Sequence, residues 1–242
     1  MVEYSEYTNI GNRNLNEDTI ASFKIDGEQH GFIVCDGLGG HGMGDVASKC
    51  VKDVFEDCFS KTESLDSFLP YAFTAAQDIL LQEQIEHNAQ KKMKTTAAAL
   101  AVDSQYAYIG HVGDSRVYVF NRNRVKCRTI DHSIPQMMVL ARQIKESEIR
   151  YHPERNIVLR VMGVPWDEPK FELMEPIPLK KCQAFLLCTD GFWELIDEKQ
   201  MSACLKNSKS PKEWLQSMAD IVQENGKDIE MDNNSAIAVW VK

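Results

Sequence analysis

Residues 31–48 combine a strongly apolar run with a run of glycines, and they constrain the fold more than any other stretch. Residues 32–35 are apolar throughout, which predicts a buried strand that ends at Asp36. Five glycines follow within eight residues, from Gly37 to Gly44, and such a run is incompatible with a regular helix or strand. Glycine lets the backbone bend sharply and approach a ligand closely. The strand is therefore expected to deliver the Asp36 carboxylate to a loop that faces a small cation, or a group bridged by one.

The composition is that of an acidic protein with a sizeable core. The 242 residues are 43% hydrophobic, compatible with one large domain or two small ones, and the net charge of -9 argues against nucleic-acid binding. No apolar stretch approaches the roughly 20 residues of a membrane span, and the N-terminus lacks the apolar core of a signal peptide. The seven cysteines include no Cys-x-x-Cys pair. We therefore expect a cytoplasmic protein with reduced cysteines and no membrane contact.

Apolar periodicity predicts an α+β fold in which sheet packs on sheet with helices outside. Strands at 19–23 and 32–35 are expected to pair across a turn at Asp26-Gly27. Residues 131–170 are less regular, as in a lid or specificity loop, with a plain surface excursion as the alternative. Further strands are predicted at 96–102, 106–112, 116–120, 125–130, 184–188 and 236–241, and helices at about 46–58, 67–88, 198–206 and 211–225.

Four aspartates lie where a turn meets an apolar strand: Asp36, Asp114, Asp190 and Asp232. Any one of them alone is typical of a turn or a helix cap. If the strand ends converge, however, the carboxylates repel each other and take up protons unless a cation neutralises them. Because no Cys/His cluster accompanies them, hard oxygen ligands favour Mg²⁺ or Mn²⁺ over zinc, and Ca²⁺ is an alternative without an EF-hand loop. Paired divalent ions commonly act on phosphate esters, and Arg13 is of a type that binds phosphate with paired donors.

Seven short motifs follow one another from residue 11 to the end of the chain. They are Arg13-x-x-Asn16-Glu17-Asp18, Asp36-Gly37-Leu38-Gly39-Gly40-His41, Thr95-Thr96-Ala97, Gly113-Asp114-Ser115-Arg116, Asp131-His132-Ser133, Thr189-Asp190-Gly191 and Asp232-Asn233-x-Ser235. In this order they resemble the metal-dependent PP2C-type serine/threonine phosphatases, in their compact bacterial form. The resemblance implies one domain over residues 1–242, with a flap at about 132–169. It also implies a β-sandwich of two antiparallel sheets flanked by pairs of antiparallel helices.

For the metal site, the resemblance assigns roles by position. Asp36 would bridge two Mn²⁺ or Mg²⁺ ions, and the Gly37 carbonyl would bind one of them. Asp190 and Asp232 would bind the other ion, and Arg13 would clamp the substrate phosphate. The implied reaction is direct hydrolysis, in which a metal-bridging hydroxide attacks phosphorus without a phospho-enzyme. Arg13 and Asp36 are thus the expected catalytic residues.

A second group of acidic residues is implied around these ions. Glu17 and Asp18 would hold metal-bound waters or a metal directly. Asp114 would join Asp190 at a weaker third ion, with Glu194 as a further candidate ligand.

The chain departs from the animal branch of the family at Leu38. In that branch a histidine follows the first Asp-Gly and is thought to protonate the leaving group. His41 belongs to the Gly-Gly-His element of the bacterial pattern, and we expect it to cap or pack the loop. The leaving-group acid is therefore unassigned, with a metal-bound water as the candidate.

The resemblance implies phosphorylated proteins as substrates, made by an opposing serine/threonine kinase, and a monomeric enzyme. Two other functions stay open from the sequence. One is a catalytically silent module that binds a phosphoprotein partner, although such relatives usually lack metal carboxylates that are all present here. The other is a phosphatase that acts on small phosphate esters.

Overall fold

The computed structural model describes residues 1–25, 29–38, 42–90 and 92–241. The expected turn at Asp26-Gly27 and the residues Gly39, Gly40 and His41 lie outside the described residues. The strands are β1 (Val2–Asn9), β2 (Asp18–Lys24), β3 (His30–Leu38), β4 (Lys94–Thr95), β5 (Ala97–Val102), β6 (Tyr106–Val112), β7 (Arg116–Asn121), β8 (Arg124–Arg128), β9 (Glu172–Leu173), β10 (Ile177–Pro178), β11 (Ala184–Cys188) and β12 (Asn234–Val241). The helices are α1 (Gly44–Ser60), α2 (Leu65–Glu86), α3 (Ile134–Leu140), α4 (Asp190–Trp193), α5 (Glu198–Asn207) and α6 (Pro211–Gly226), with 3₁₀ turns at Glu146–Tyr151 and Leu179–Lys181.

The strands form two antiparallel sheets, which confirms the expected sandwich. Among the described residues, one sheet has the order β1-β12-β11-β7-β8. The other has the order β10-β6-β5-β3-β2, with β4 beside β3 and β9 beside β6. The helices α1 and α2 pack on the second sheet, while α5 and α6 form a layer on the first.

The continuous apolar run of β3 is explained by burial on both of its faces. Phe32 and Val34 point into the apolar layer between the two sheets, together with residues of β11 and β12. Ile33 and Cys35 point the other way, into the core beneath α1 and α2. Because alternate side chains of a strand face opposite sides, a strand covered on both sides needs apolar residues at every position.

Among the local features that differ from what the sequence predicts, three concern β1, β3 and Asp190. No strand is predicted before residue 19, but β1 pairs with β12 along its whole length. Its residues are half-buried or exposed, so the strand lacks the apolar signal that marks a core strand. The β3 strand continues past Asp36 to Leu38, because Gly37 and Leu38 pair with β4. Asp190 is the first residue of the short helix α4 rather than part of a plain turn.

Candidate active site

Strand register brings the first two acidic motifs together. Asp18 of β2 lies directly opposite Asp36 of β3. The Thr189 hydroxyl donates to Asp18 Oδ2 at 2.9 Å, which joins this pair to the end of β11. There Asp190 begins α4, and its carboxylate is close enough to raise the pKa of the Asp36 carboxyl. Three carboxyl groups that are far apart in sequence thus form one cluster.

The main chain of Asp36 is held by the Thr95-Thr96 motif. Its N–H donates to Thr96 Oγ1 at 3.0 Å, and its carbonyl accepts from Thr95 Oγ1 at 2.8 Å. Thr96 Oγ1 also lies 2.7 Å from Ser115 Oγ, in the loop that carries Asp114. The threonines therefore fix Asp36 and couple its position to that of the loop after β6.

Glycine is required where Glu17, Gly37 and Gly44 meet. The Gly37 N–H donates to the Glu17 carbonyl at 3.1 Å, and a Cβ on Gly37 would overlap the main chain of Gly44. A Cβ on Gly44 would press on the Glu17 carboxylate. Glu17 is tied to the far end of the chain as well, since its N–H donates to Asn233 Oδ1 at 2.8 Å. Burial raises the pKa of this glutamate.

Arg13 and Asp232 form a two-point ion pair at the mouth of the site. The Arg13 Nε and Nη2 atoms donate to Asp232 Oδ1 and Oδ2 at 2.8 and 2.7 Å. The Asn233 N–H also donates to Asp232 Oδ1, at 2.8 Å. Arg13, Asp232, Asp190 and Glu194 all line a cavity of about 190 Å³. The cavity is thus lined both by a side chain of the type that binds phosphate and by acidic groups, which also include Glu230.

The acidic cluster has unusual electrostatics because like charges are buried together. Burial and the neighbouring Asp190 carboxylate raise the pKa of Asp36 and of Asp114 well above the usual range. Burial raises the pKa of Asp18 to about 7. Burial and the neighbouring Asp190 raise the pKa of Glu194 to about 7 as well, although Arg155 lowers it. Without a cation, the raised pKa values favour the protonated form of these carboxyl groups, and a bound cation could replace the protons.

Two oxygens of this cluster have no partner within the described part of the chain. They are Asp18 Oδ1 and Asp114 Oδ1, and both residues are buried. A buried carboxylate oxygen without a hydrogen bond is costly unless it binds a donor or a metal. The all-oxygen donor set and the two unpartnered atoms fit hard divalent cations of the Mg²⁺ or Mn²⁺ type.

A separate candidate metal-binding group lies beside the loop that carries Asp114. His111, His132 and Glu172 bring ligand-type atoms within 4.8 Å of one another. However, His132 Nδ1 accepts the Gly113 N–H at 3.1 Å, and its Nε2 faces Glu172 Oε1 at 3.2 Å. A neutral imidazole that accepts at Nδ1 carries its proton on Nε2, which is then not free to bind a metal. These bonds instead favour a supporting role for His132.

A family model described as protein phosphatase 2C matches residues 7–234. The chain belongs to the protein phosphatase 2C family. It is 32% identical over 209 residues to serine/threonine phosphatase stp of Listeria welshimeri, a match that covers 83% of this chain and 81% of that protein. It is 28% identical to protein phosphatase PhpP of Streptococcus pneumoniae, over 83% of this chain and 82% of that one.

Solved structures of the protein phosphatase 2C family show the same fold. Serine/threonine phosphatase Stp1 from Staphylococcus aureus superposes with a TM-score of 0.91 at 28% identity, covering 100% of this chain and 96% of Stp1. The expected family, sandwich fold and phosphatase class are confirmed, and the silent signalling module is not supported. Protein phosphatase 2C enzymes are metal-dependent. Of the helices in the described ranges, none is long and apolar enough to cross a membrane.

The structure places the residues predicted for the site in two adjacent groups, which are the buried carboxyl cluster and the lining of the cavity. Asp18, Asp36 and Asp190 form the carboxyl cluster, and Asp190 also reaches the cavity that Arg13 lines. Glu17 and Gly37 adjoin each other, and Asp114 is near enough for Asp190 to raise its pKa. Sequence reasoning assigned no role to several residues that hold these groups, although all but one of them lie within the motifs. They are Thr95, Thr96, Thr189, Trp193 and Asn233.

Proposed function

We propose that this protein phosphatase 2C enzyme hydrolyses phosphoserine and phosphothreonine in proteins at the cavity between Arg13 and Asp190. The observation that carries the proposal is the convergence of Asp18, Asp36 and Asp190 beside that cavity. Such a cluster serves no evident packing purpose, because like charges buried together destabilise a fold that has no cation to neutralise them. Next to an arginine fork, it is suited to a phosphate ester.

We propose that the cluster would hold two Mn²⁺ or Mg²⁺ ions and that Asp36 would be a ligand of both. The Gly37 carbonyl would serve one ion, and Asp190 and Asp232 the other. When bound, such ions activate water and neutralise charge on phosphoryl oxygens.

The acidic residues around the pair have proposed roles of their own. Glu17 and Asp18 would complete the pair, directly or through water. Asp114 and Asp190 would share a weaker third ion, with Glu194 as a further candidate ligand. The support is the unpartnered buried oxygens of Asp18 and Asp114.

Arg13 is proposed to bind the substrate phosphate. Its donors lie on Asp232, which neutralises that carboxylate while no cation does so. A cation beside Asp232 would leave the guanidinium fork available to a phosphate, which it can bind at two points.

The Leu38 side chain has no proton that it can transfer, so we propose water as the proton source for the leaving group.

We propose that the substrates are phosphoproteins made by an opposing serine/threonine kinase, and that the enzyme acts as a cytoplasmic monomer. Each of the seven cysteines, all in the described ranges, is free, as expected in a reducing compartment.

A substrate panel with Mn²⁺ tests the proposed specificity. A phosphothreonine peptide, a phosphoserine peptide, p-nitrophenyl phosphate and small phosphate esters would be compared at equal concentration. We expect turnover of the phosphopeptides. Turnover of the small esters alone would favour a small-molecule phosphatase instead, and no turnover of any compound by the metal-replete protein would overturn the proposed function.

A further inference from the structure

The short helix α4 ties together two carboxylates of the proposed cation site. Its first residue is Asp190, and its last is Trp193, one turn later. The Trp193 indole N–H donates to the main-chain oxygen of Asp114 at 3.0 Å, and the indole is buried. The turn that presents Asp190 therefore also holds the loop that presents Asp114.

The Asp114 carboxylate depends on its main chain for its position. Asp114 is 3% exposed, and its Oδ1 has no hydrogen-bond partner in the described ranges. Before it in the chain, Gly113 and His132 exchange two bonds. The Gly113 N–H donates to His132 Nδ1 at 3.1 Å, and the His132 N–H donates to the Gly113 carbonyl at 2.9 Å. At Asp114 itself, the Trp193 indole holds the main-chain oxygen.

The Trp193 ring is itself fixed by a buried ion pair. The Arg116 guanidinium lies 3.3 Å from the ring centroid. Arg116 donates to both carboxylate oxygens of Asp131, at 2.8 and 2.6 Å, and both side chains are 1% exposed. The main chain of Trp193 is held too, because Arg150 Nε donates to its carbonyl at 3.0 Å. The indole N–H therefore points at Asp114 from a rigid support.

We propose that Trp193 is a positioning residue that holds Asp114 against Asp190, and that it sets the affinity of the divalent cation these two carboxylates share. The inference rests on the proposed function, since it requires that the two carboxylates bind a cation. It assigns to Trp193 a role in metal affinity in addition to packing. Loss of a hydrogen bond that orients a metal-ligating residue typically lowers metal affinity or activity by about 10- to 100-fold.

Trp193→Phe and Trp214→Phe form a matched pair of variants. Trp214 is also fully buried, and its indole N–H donates to the Met201 carbonyl at 3.1 Å, in the layer formed by α5 and α6. Each variant loses one buried indole hydrogen bond to a main-chain carbonyl. The phenyl ring at position 193 keeps an aromatic face for Arg116. Only the first variant removes a contact to Asp114.

The main readout is calorimetric titration of the metal-free proteins with Mn²⁺ alone. We expect Trp193→Phe to weaken the lowest-affinity class of Mn²⁺ sites by about 10- to 100-fold and to leave the tighter class within about twofold. Trp214→Phe should bind Mn²⁺ like wild type, with a similar loss of thermal stability. In turnover assays, Trp193→Phe should need more Mn²⁺ for half-maximal rate and recover rate at high Mn²⁺.

The outcomes separate this inference from the proposed function. If wild type binds Mn²⁺ and Trp193→Phe binds it equally well, or if Trp214→Phe shows the same weakening, the positioning role is wrong and the proposed function stands. If wild type binds no Mn²⁺, both fail. Should Trp193→Phe not fold, Arg116→Lys is the second variant. It removes the two-point ion pair with Asp131 that holds the Arg116 guanidinium against the Trp193 ring. It should weaken the same class of sites, and unchanged Mn²⁺ binding there would overturn the inference.

Discussion

The Arg13 guanidinium has the Asp232 carboxylate as its partner across 219 positions of sequence. Both side chains are about half exposed, so water competes for the pair and its contribution to stability is small. An exposed ion pair of this kind can be exchanged for a stronger partner at little cost. A dianionic phosphate in the cavity is such a partner for arginine.

Replacing Arg13 with alanine should therefore damage substrate binding far more than folding. We expect kcat/KM for a phosphothreonine peptide to fall by about 10- to 100-fold, because a charged hydrogen-bond pair to phosphate is lost. The free energy of unfolding should change by about 1 kcal/mol or less. Steady-state kinetics and denaturant unfolding measure the two effects.

Lys61→Ala is the control, since it removes an exposed ion pair with Asp57 at the end of α1. It should leave both quantities near the wild-type values. An Arg13→Ala enzyme with wild-type kcat/KM would show that the phosphate is held elsewhere.

At the scale of elements, α2 anchors the end of the segment predicted as a flap. The Gln84 side chain donates to the carbonyls of Met93 and Gly163, at 2.6 and 2.7 Å. Gln77 accepts the Gly163 N–H at 2.9 Å and donates to the Val164 carbonyl at 2.6 Å. Both glutamines are buried. The segment after residue 160 is thus fixed to the helix by side chains, and two main-chain hydrogen bonds also bridge Met162 to Thr95 of β4.

Gln84→Met should destabilise the protein by about 1–3 kcal/mol, because the Met93 and Gly163 carbonyls lose a buried donor. Gln82 lies on the same helix, is exposed and bonds Glu86, so Gln82→Met should change stability by no more than about 0.5 kcal/mol. Urea unfolding measures both. Equal stability of the two variants would mean that the buried amide contributes nothing net.

The elements that the sequence predicts well are those whose burial is written in the pattern. β11 is apolar at every position and is found at the predicted residues, Ala184–Cys188. β1 escapes prediction because an edge strand is specified by pairing with β12 rather than by its own apolar residues. The four-residue helix α4 escapes because it is too short to show a period.

The site was predictable to the extent that its residues are marked by local context. Asp36, Asp190 and Asp232 flank apolar strands, and the motifs around them carried the family resemblance. The main-chain bonds made by Thr96 and Trp193 were not predictable, since they depend on which carbonyls and N–H groups the fold places nearby. The pairing of Arg13 with Asp232 depends in the same way on the tertiary structure.

For the molecule as a whole, the buried acidic cluster makes stability depend on pH and on cations. The pKa of Asp18 is about 7, against 3.8 for an ordinary aspartate, and that of Glu194 is about 7, against 4.5. A carboxyl whose folded pKa is raised contributes full stability below its unfolded pKa and loses it as pH rises through the folded pKa. Burial lowers the pKa of His111 and His132. Protonation of these histidines therefore lowers the stability of the fold as pH falls, but only below about pH 6.5.

We therefore expect the melting temperature of metal-free protein to fall as pH rises from about 6.5 to 8. Added Mn²⁺ should raise it more at pH 8 than at pH 6.5, because the carboxylates must lose their protons to bind metal. Thermal unfolding with EDTA or with Mn²⁺ across this range measures both trends. A metal-free melting temperature that rises over the same range would contradict the electrostatics described for the cluster.

The most direct test of the central claim is Mn²⁺-dependent phosphate release from a phosphothreonine peptide, wild type against Asp36→Asn. The main-chain bonds of Asp36 to Thr95 and Thr96 do not involve its carboxylate, so the variant should keep its fold. We expect wild-type release to require Mn²⁺ and to stop with EDTA, and Asp36→Asn to lose at least about 10²-fold in rate. Release that persists in EDTA, or that is equal in the variant, would contradict the claim that these carboxylates gather cations for phosphate hydrolysis.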